Sequence, residues 1–321
     1  MNTKATPPSP LRPIIRRWLT IGLLLCLAGL LLAGGLVAAG WAYFHPRFEW
    51  QRGIVYGERG PTPLTLDVLA PPAPNGLGIV FMVSGGWKSG RDAIRPWLLA
   101  PLLRRGYTVF AVCHVSQPEA TVDEILADVS RAVRFIRTHA ADYHVDPDRL
   151  GVAGGSAGGH LSLMLATRGG LGPGDAADPV DAASSAVQAA AVFCPVTDLT
   201  DLTGSTEDPG DGGPPKSFRR AFAQEPVDME RWRTTARDLS PLHHITPGMP
   251  PVMIFHGDCD TLVTLDQSLK FRDRAQAVGC DVTLRVVENA GHTWLTMPLD
   301  VMRCAAWFDE RLRAAAPERR P

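Results

Sequence analysis

The amino-acid sequence predicts an α/β fold, in which a single N-terminal transmembrane helix precedes a mostly parallel, doubly wound sheet. Two patterns predict the sheet: short apolar segments recur along the chain, and segments with helical periodicity lie between them. Nearly continuous apolar strands are typical of a sheet that is covered on both faces, and alternating strands and helices favour parallel strand order. One uncharged run near the N-terminus predicts the transmembrane helix.

Residues 18–44 form that run and contain no charged side chain. About 20 apolar residues cross a bilayer as a helix, whereas the apolar region of a cleaved signal peptide has only about 7–15. We therefore expect a retained signal anchor. The small residues at 37–40 leave cleavage as an alternative.

Basic residues are more frequent before this helix than after it. Lys4, Arg12, Arg16 and Arg17 precede the helix, and Arg47 and Arg52 follow it. Because Lys and Arg favour the cytoplasmic side of a membrane, residues 1–17 are expected to be a cytoplasmic tail. The rest of the protein would then be periplasmic or extracellular.

Residues 47–314 are long enough for one large α/β domain, followed by a short tail at 315–321. The formal net charge of −1 gives no electrostatic basis for binding nucleic acid. The six cysteines lack the paired spacing of zinc sites, so no metal is expected, and nothing indicates an organic cofactor. We expect free thiols, although export would permit one or two disulfide bonds.

The predicted elements follow in chain order. The first element is an antiparallel hairpin at 47–56 and 64–69. Buried strands follow at 79–83, 108–112, 150–153, 190–193, 252–255 and 282–287. A helix is predicted at 121–139, where Thr121 and Glu124 form a capping-box pattern. A last helix is predicted at 299–314.

Two insertions interrupt the alternation. Residues 169–185 are rich in Gly, Ala, Asp and Pro, and residues 200–237 begin as a Gly/Pro/Asp loop that becomes a short amphipathic helical region. Each follows a predicted strand, on the side where ligands bind in open α/β sheets. We expect loops or a small cap over the site. A solvated insertion without contact to the substrate is the alternative.

Residues 154–158 read GGSAG, which fits the pattern G-x-S-x-G. This motif directly follows the strand at 150–153 and precedes a predicted helix at 160–168. In that context the serine occupies a strained turn, with small residues two positions away on either side. The helix N-terminus adds positive potential where an oxyanion forms. Ser156 is therefore the predicted nucleophile, and a glycine-rich turn without catalytic function is the alternative.

A serine nucleophile needs a base that a third group orients. After this motif the acid and then the histidine are expected in chain order. Asp260 is preferred to Asp258 as the acid, because the acid in such loops lies past the tight turn. His292 is the predicted base, since it follows a glycine in the loop after the last strand. The other candidate histidines are predicted to be structural: His114, His160, His243, His244 and His256.

An oxyanion hole requires two backbone N–H groups. One is expected from Ala157, directly after the nucleophile. The other is expected from Gly86 or Trp87, in the glycine-containing loop after the strand at 79–83, where glycine lets the backbone approach a carbonyl closely. A plain glycine turn is the alternative.

These motifs resemble those of the carboxylesterase/lipase branch of the α/β-hydrolases, in particular the feruloyl-esterase-like and hormone-sensitive-lipase-like esterases with an HGGGW motif. The similar segments are SGGW at 84–87, GGSAGGH at 154–160, PVTDL at 195–199, SP at 240–241, HGDCD at 256–260 and GH at 291–292. The resemblance implies triad roles for Ser156, Asp260 and His292, and oxyanion surroundings made by Gly85, Gly86 and Ala157. One difference is that Val83 and Ser84 stand where that group has His-Gly, so the histidine that braces the loop is missing.

The sequence therefore predicts a membrane-tethered serine carboxylester hydrolase that acts on small or carbohydrate-linked esters. One alternative is a serine peptidase of the prolyl-oligopeptidase type, which shares the order of the triad but usually carries a propeller domain. A non-catalytic, membrane-anchored binding protein is the other alternative. The presence of Ser156, Asp260 and His292 together argues against this second alternative, because a binding protein would not require all three.

Overall fold

A computed structural model of the protein describes residues 11–314. The predicted tail at 315–321 and the first ten residues of the predicted N-terminal tail lie outside the described residues. The chain divides into two compact units, one ending at Pro46 and the other beginning at Arg47.

The N-terminal unit contains one helix, α1, at Leu11–Phe44. It begins seven residues before the predicted start at residue 18. Pro13 lies in its first turn, where a helix tolerates proline because no N–H partner is needed there. The stretch Arg17–Phe44 is long and apolar enough to cross a membrane, and it is the one such stretch among the described residues.

The second unit is built on an eight-stranded sheet with the order β1-β2-β4-β3-β5-β6-β7-β8. The strands are β1 at Glu49–Arg59, β2 at Thr62–Ala70, β3 at Gly78–Met82, β4 at Thr108–Val112, β5 at Leu150–Gly155, β6 at Ala189–Phe193, β7 at Val252–Gly257 and β8 at Val282–Val287. The β1–β2 and β2–β4 pairs are antiparallel, and every other pair is parallel. This confirms the predicted entry hairpin and mostly parallel sheet.

Helices cover both faces of the sheet. They are α2 at Pro96–Arg104, α3 at Val122–Thr138, α4 at Ala157–Arg168, α5 at Pro179–Ala182, α6 at Met229–Asp238, α7 at Leu265–Ala277 and α8 at Met297–Ala314. Buried residues of α3, α4 and α7 form one core layer, and those of α2 and α8 form the other. The alternation within one strand explains the layers: in β3, Val80 faces the first layer and Ile79 the second.

The predicted capping box at the start of α3 is present. Thr121 Oγ1 accepts the Glu124 N–H, and the Glu124 carboxylate accepts the Thr121 N–H. The helix thus begins where its unpaired N–H groups find side-chain acceptors. The loops after β3, β5, β7 and β8 leave the carboxyl ends of parallel strands, and these loops carry the predicted site residues.

Candidate active site

Ser156 occupies a sharp turn between β5 and α4. Its backbone has φ 53° and ψ −122°, a conformation that L-residues rarely adopt. Its N–H donates to the Phe193 carbonyl at 2.8 Å, and its own carbonyl accepts the His160 N–H at 2.9 Å. The neighbouring strand and the first turn of α4 therefore hold the strained residue in place.

The glycines around Ser156 are required by close backbone contacts. A Cβ at Gly154 would lie 2.5 Å from the Gly158 carbonyl, and one at Gly158 would lie 2.7 Å from the Met82 carbonyl oxygen. These distances are shorter than any ordinary van der Waals contact. The glycine spacing of the motif is thus set by how tightly the turn packs on itself and on β3.

Asp260 and His292 lie against each other, although 32 residues separate them in the chain. His292 Nδ1 donates to Asp260 Oδ2 at 2.7 Å, which leaves Nε2 as the basic nitrogen. Asp258, the other candidate acid, is exposed, and one of its oxygens accepts the Ala290 N–H at 3.3 Å. The structure thus brings Asp260 to His292 and leaves Asp258 in solvent.

The Asp260 carboxylate is buried and fully engaged. Burial raises its pKa, but hydrogen bonds from His256 and His292 and the backbone N–H of Val263 outweigh burial, so the pKa lies well below its usual value. Oδ1 accepts the N–H groups of Leu262 at 2.9 Å and Val263 at 3.1 Å. The group is therefore an anion that accepts a hydrogen bond from His292.

His256 supports this carboxylate, a contribution that the sequence did not indicate. Its Nε2 donates to the Val263 carbonyl at 2.8 Å and lies 3.4 Å from Asp260 Oδ2. The Ser268 hydroxyl donates to its Nδ1 at 2.6 Å, which fixes this tautomer. The sequence feature that could have indicated this contribution is the position of His256 in the HGDCD segment, which also contains Asp260.

Cys194, His256 and Asp260 are the described residues whose possible ligand atoms cluster closely enough to hold a metal, all within 4.8 Å. Burial, followed by the nearby Asp260, raises the pKa of the Cys194 thiol to about 12, so the thiol stays protonated at neutral pH. A metal ligand would have to be the thiolate. The nitrogens of His256 are also both engaged. The cluster therefore fits a hydrogen-bonded support for Asp260 better than a metal centre.

The backbone N–H groups of Gly86, Trp87 and Ala157 have no hydrogen-bond partner within the described part of the chain. Gly86 and Trp87 both have φ 55°, which turns the loop sharply at this point. The Gly85 N–H is already bonded to the Lys88 carbonyl at 3.0 Å. Gly86, Trp87 and Ala157 line a cavity together with Ser156, so their N–H groups are candidates for donating hydrogen bonds to a group bound there.

The loop that carries Gly86 is braced by the segment that follows the neighbouring strand β4. The Ser84 hydroxyl donates to His114 Nε2 at 2.9 Å, while His114 Nδ1 donates to the Val115 carbonyl at 2.8 Å. Ser84 also accepts the Gly158 N–H through its carbonyl at 3.1 Å. A histidine 30 residues downstream thus contacts Ser84, the residue directly after Val83, which stands at the histidine position of the HGGGW motif.

His160 is buried and has a structural environment, in line with its interpretation from the sequence. Its Nε2 donates to the Leu239 carbonyl at 2.7 Å, and its Nδ1 accepts the Trp87 indole N–H at 3.3 Å. Burial lowers its pKa to about 4. His243 and His244 lie in a short turn before β7 and contact Asp198 and the Asp238 carbonyl, respectively.

Two cavities open on Ser156. The first, here the narrow cavity, has a volume of about 80 Å³ and is lined by Trp87, Ala157, Leu199, Glu207 and Phe218 among others. The second, here the wide cavity, has a volume of about 500 Å³ and is lined by Leu98, Leu99, His292, Met297 and Val301 among others. The wide cavity extends into the core layer formed by α2 and α8.

The two insertions lie in different places. Leu202, Ser205, Glu207, Pro215 and Phe218 of the segment 200–237 line the narrow cavity. The segment 169–185 lies against α3, where Arg131 forms ion pairs with Asp178 and Asp181. No residue of 169–185 lines either cavity at Ser156.

The PVTDL segment after β6 contributes to the wall of the narrow cavity. The buried Thr197 hydroxyl donates to the Gln267 carbonyl at 2.6 Å, and the Leu199 N–H donates to Ser240 Oγ at 2.8 Å. These bonds link the segment to α7 and to the SP segment at 240–241. Val196 and Leu199 are thereby held in the wall of the narrow cavity.

Curated proteins with similar sequences include two esterases. Isoprenylcysteine α-carbonyl methylesterase ICME of Arabidopsis thaliana is 25% identical over 289 residues, which cover 86% of this chain and 64% of that protein. Esterase LipQ of Mycobacterium tuberculosis is 28% identical over 265 residues, which cover 78% of this chain and 59% of that protein. The chain thus spans about 60% of the length of these relatives.

Solved structures with the same fold include esterases. Esterase 2 of Thermogutta terrifontis with bound butyrate superimposes with a TM-score of 0.62 at 27% identity, covering 86% of this chain and 98% of that one. A carbohydrate esterase from gut microbiota superimposes with a TM-score of 0.71 at 22% identity, covering 83% of this chain and 96% of that one, a likeness of fold alone.

Residues 66–274, which make up more than half of the chain, match the BD-FAE family. The eight-stranded sheet, the nucleophile turn after β5 and the esterase structures with the same fold agree with that match. The chain therefore belongs to the BD-FAE family of α/β-hydrolases.

Proposed function

We propose that the protein is a membrane-tethered serine carboxylester hydrolase, which cleaves small or carbohydrate-linked esters through Ser156, His292 and Asp260. The observation that carries the proposal is the meeting of two features at one cavity. Ser156 lies in a strained turn at φ 53°, and His292, bonded to Asp260 at 2.7 Å, lines the same wide cavity as Ser156. Such a combination supports nucleophilic acyl transfer.

In the first half of the reaction His292 Nε2 takes the proton of the Ser156 hydroxyl as its oxygen attacks the ester carbonyl. Asp260 holds the imidazole in the required tautomer and stabilises its positive charge. The low pKa of Asp260 supports this assignment, because the carboxylate then remains ionised while His292 gains and loses a proton. His292 next protonates the leaving alcohol.

The carbonyl oxygen becomes an anion during the attack, and we assign the N–H groups of Ala157 and of Gly86 or Trp87 as its hydrogen-bond donors. In comparable sites, loss of one such donor lowers kcat by about 10²–10³. The N-terminus of α4 adds positive potential at the same point. Water then attacks the acyl-enzyme, with His292 as base, and releases the acid.

Hydrolysis of p-nitrophenyl acetate, butyrate and octanoate by the wild type and Ser156→Ala tests the enzymatic part. We expect turnover that falls by at least about 10⁴-fold in Ser156→Ala. Ser130→Ala, which removes a hydroxyl on α3, serves as the matched control and should retain full activity. Undiminished turnover in Ser156→Ala would exclude Ser156 as the nucleophile. Absence of turnover in a folded wild type would favour the peptidase or the binding protein.

The proposed location is supported by the N-terminal helix. Its span Arg17–Phe44 exceeds the roughly 20 residues that a bilayer requires, and basic residues favour a cytoplasmic N-terminus. The catalytic unit would then be periplasmic or extracellular. A C-terminal reporter that is active only outside the cytoplasm should be active and should remain with membranes after alkaline extraction. Release of the protein in soluble form would instead indicate a cleaved signal peptide.

A further inference from the structure

The two cavities at Ser156 differ in their relation to the proposed base. They share Gly86, Ser156 and Leu262, so both reach the nucleophile and a candidate oxyanion donor. His292 lines only the wide cavity, whereas Ala157 and Trp87 line only the narrow one. The site is therefore asymmetric about the position where an ester carbonyl would lie.

This asymmetry assigns the two sides of the ester, if the proposed function holds. His292 must protonate the leaving oxygen, so the alcohol side of the substrate lies beside His292. The acyl side points the opposite way from the carbonyl carbon, past Ala157 and Trp87. We propose that the protein prefers esters of a short acyl group with a bulky apolar alcohol, the alcohol occupying the wide cavity and the acyl group the narrow one.

The walls of the wide cavity suit a hydrocarbon. Leu98 and Leu99 of α2 and Met297 and Val301 of α8 line it, and its volume of about 500 Å³ lies within the range of ligand sites. Its polar side chains are few, and the hydroxyl of one of them, Ser84, is already bonded to His114. The hydroxyl groups of a sugar would lose their bonds to water there and gain few partners, so within the proposed range of substrates the cavity favours small apolar esters over carbohydrate-linked ones.

The narrow cavity limits the acyl group. Its volume is about 80 Å³. The Phe218 ring packs edge-on against Trp87, with centroids 5.3 Å apart, and a Cβ placed at Gly86 would lie only 3.0 Å from that ring. Glu207 adds a carboxylate, which Ser217 holds through two hydrogen bonds. A long apolar chain would meet both an aromatic barrier and an ionic group.

The reaction is an ordinary ester hydrolysis. The bond between the acyl carbon and the alcohol oxygen breaks as Ser156 Oγ bonds to that carbon, and the alcohol leaves with the proton from His292. Water then releases the short acid and restores Ser156. Each turnover consumes one water and yields one acid and one alcohol.

Two isomeric esters test the assignment with the full-length protein in detergent. Octyl acetate and methyl nonanoate have the same formula and each carries one octyl chain, on the alcohol side in the first and on the acyl side in the second. We expect kcat/KM for octyl acetate to exceed that for methyl nonanoate by at least about 10-fold, given about a few-fold gain for each buried methylene. p-Nitrophenyl acetate monitors ester hydrolysis independently.

A variant locates the alcohol site. Ala93 is exposed and lines the wide cavity, so Ala93→Trp should narrow the cavity without disturbing the core. The ratio of kcat/KM for octyl acetate to that for methyl acetate should fall by at least about 5-fold, the loss of one or two methylene contacts. Ala73→Trp makes the same change in an exposed loop outside both cavities and should leave the ratio unchanged.

Each result decides the proposal. Preference for octyl acetate, with a lower ratio in Ala93→Trp alone, supports it. The proposal would be overturned if methyl nonanoate were hydrolysed as fast as octyl acetate or faster, or if a monoacetylated hexose were hydrolysed faster than octyl acetate. An unchanged ratio of kcat/KM for octyl acetate to that for methyl acetate in Ala93→Trp would also overturn it. In those cases continued turnover of p-nitrophenyl acetate would leave the proposed function intact. Failure to hydrolyse any ester, p-nitrophenyl acetate included, would overturn both.

Discussion

Asp258 and Asp260 lie two residues apart in one loop, yet their surroundings differ. Asp260 is buried against His292 and His256, whereas Asp258 is exposed. Asp260→Asn should therefore lower kcat/KM by about 10³–10⁴-fold, because the amide no longer selects the required tautomer of His292. Asp258→Asn is the matched control and should stay within about twofold of the wild type. Equal effects on the hydrolysis of p-nitrophenyl acetate would contradict the assignment of the acid.

We expect Ser84 to influence catalysis through the position of its loop. Its hydroxyl bonds to His114 Nε2 at 2.9 Å, two residues from the candidate oxyanion donor Gly86. A hydrogen bond of this kind contributes about 0.5–1.5 kcal/mol, so Ser84→Ala should lower kcat by about 2- to 10-fold with little change in KM. Ser130→Ala provides the comparison. Unchanged kcat in Ser84→Ala, from initial rates on p-nitrophenyl butyrate, would show that the loop needs no such brace.

At the scale of elements, His160 links α4 to the end of α6 and to Trp87. Its pKa in the folded protein is about 4, below the value of about 6.5 expected in the unfolded chain. Between these values the unfolded state binds a proton that the folded state does not, so folding stability falls as the pH falls. The contribution of the neutral His160 side chain to the free energy of unfolding is fully present above about pH 6.5. About 3 kcal/mol of this free energy is lost by about pH 4.

Urea unfolding of the wild type and His160→Gln, measured at several pH values between those limits, tests this linkage. The glutamine keeps a donor and an acceptor but does not titrate. The stability of the variant should therefore depend less steeply on pH than that of the wild type. Parallel pH dependences in the two proteins would contradict the role assigned to the buried imidazole.

At the scale of the whole molecule, the unit that begins at Arg47 contains every candidate site residue. A chain that starts at Arg47 should therefore remain in solution without detergent and hydrolyse p-nitrophenyl acetate with kcat/KM within about twofold of the full-length protein. Sedimentation and initial rates would measure the two properties. Aggregation, or loss of activity in the shortened chain, would show that the helix is needed for folding.

Local patterns predicted much of this molecule. The bounds of β4 and β8 agree with the apolar runs at 108–112 and 282–287, and α3 begins directly after the capping residue Thr121. The turn at Ser156 follows from glycines whose spacing the backbone contacts require. These features depend on residues that are close together in the chain, so they can be predicted from the sequence alone.

The features that the sequence did not predict depend on contacts between distant segments. β4 lies between β2 and β3 in the sheet, and this position brings His114 to Ser84. The support of Asp260 by His256 depends on the fold of the loop after β7. The two cavities arise from the packing of α2 against α8 and from the course of the segment 200–237, which no periodicity in the chain reveals.

The most direct test of Ser156 as the nucleophile is covalent labelling of the full-length protein with a fluorophosphonate, followed by mass spectrometry of its peptides. We expect one adduct per chain, located on Ser156, with loss of esterase activity in proportion to labelling. Ser156→Ala should remain unlabelled. A folded wild-type protein that hydrolyses esters but carries the adduct on another residue, or on none, would contradict the proposed mechanism.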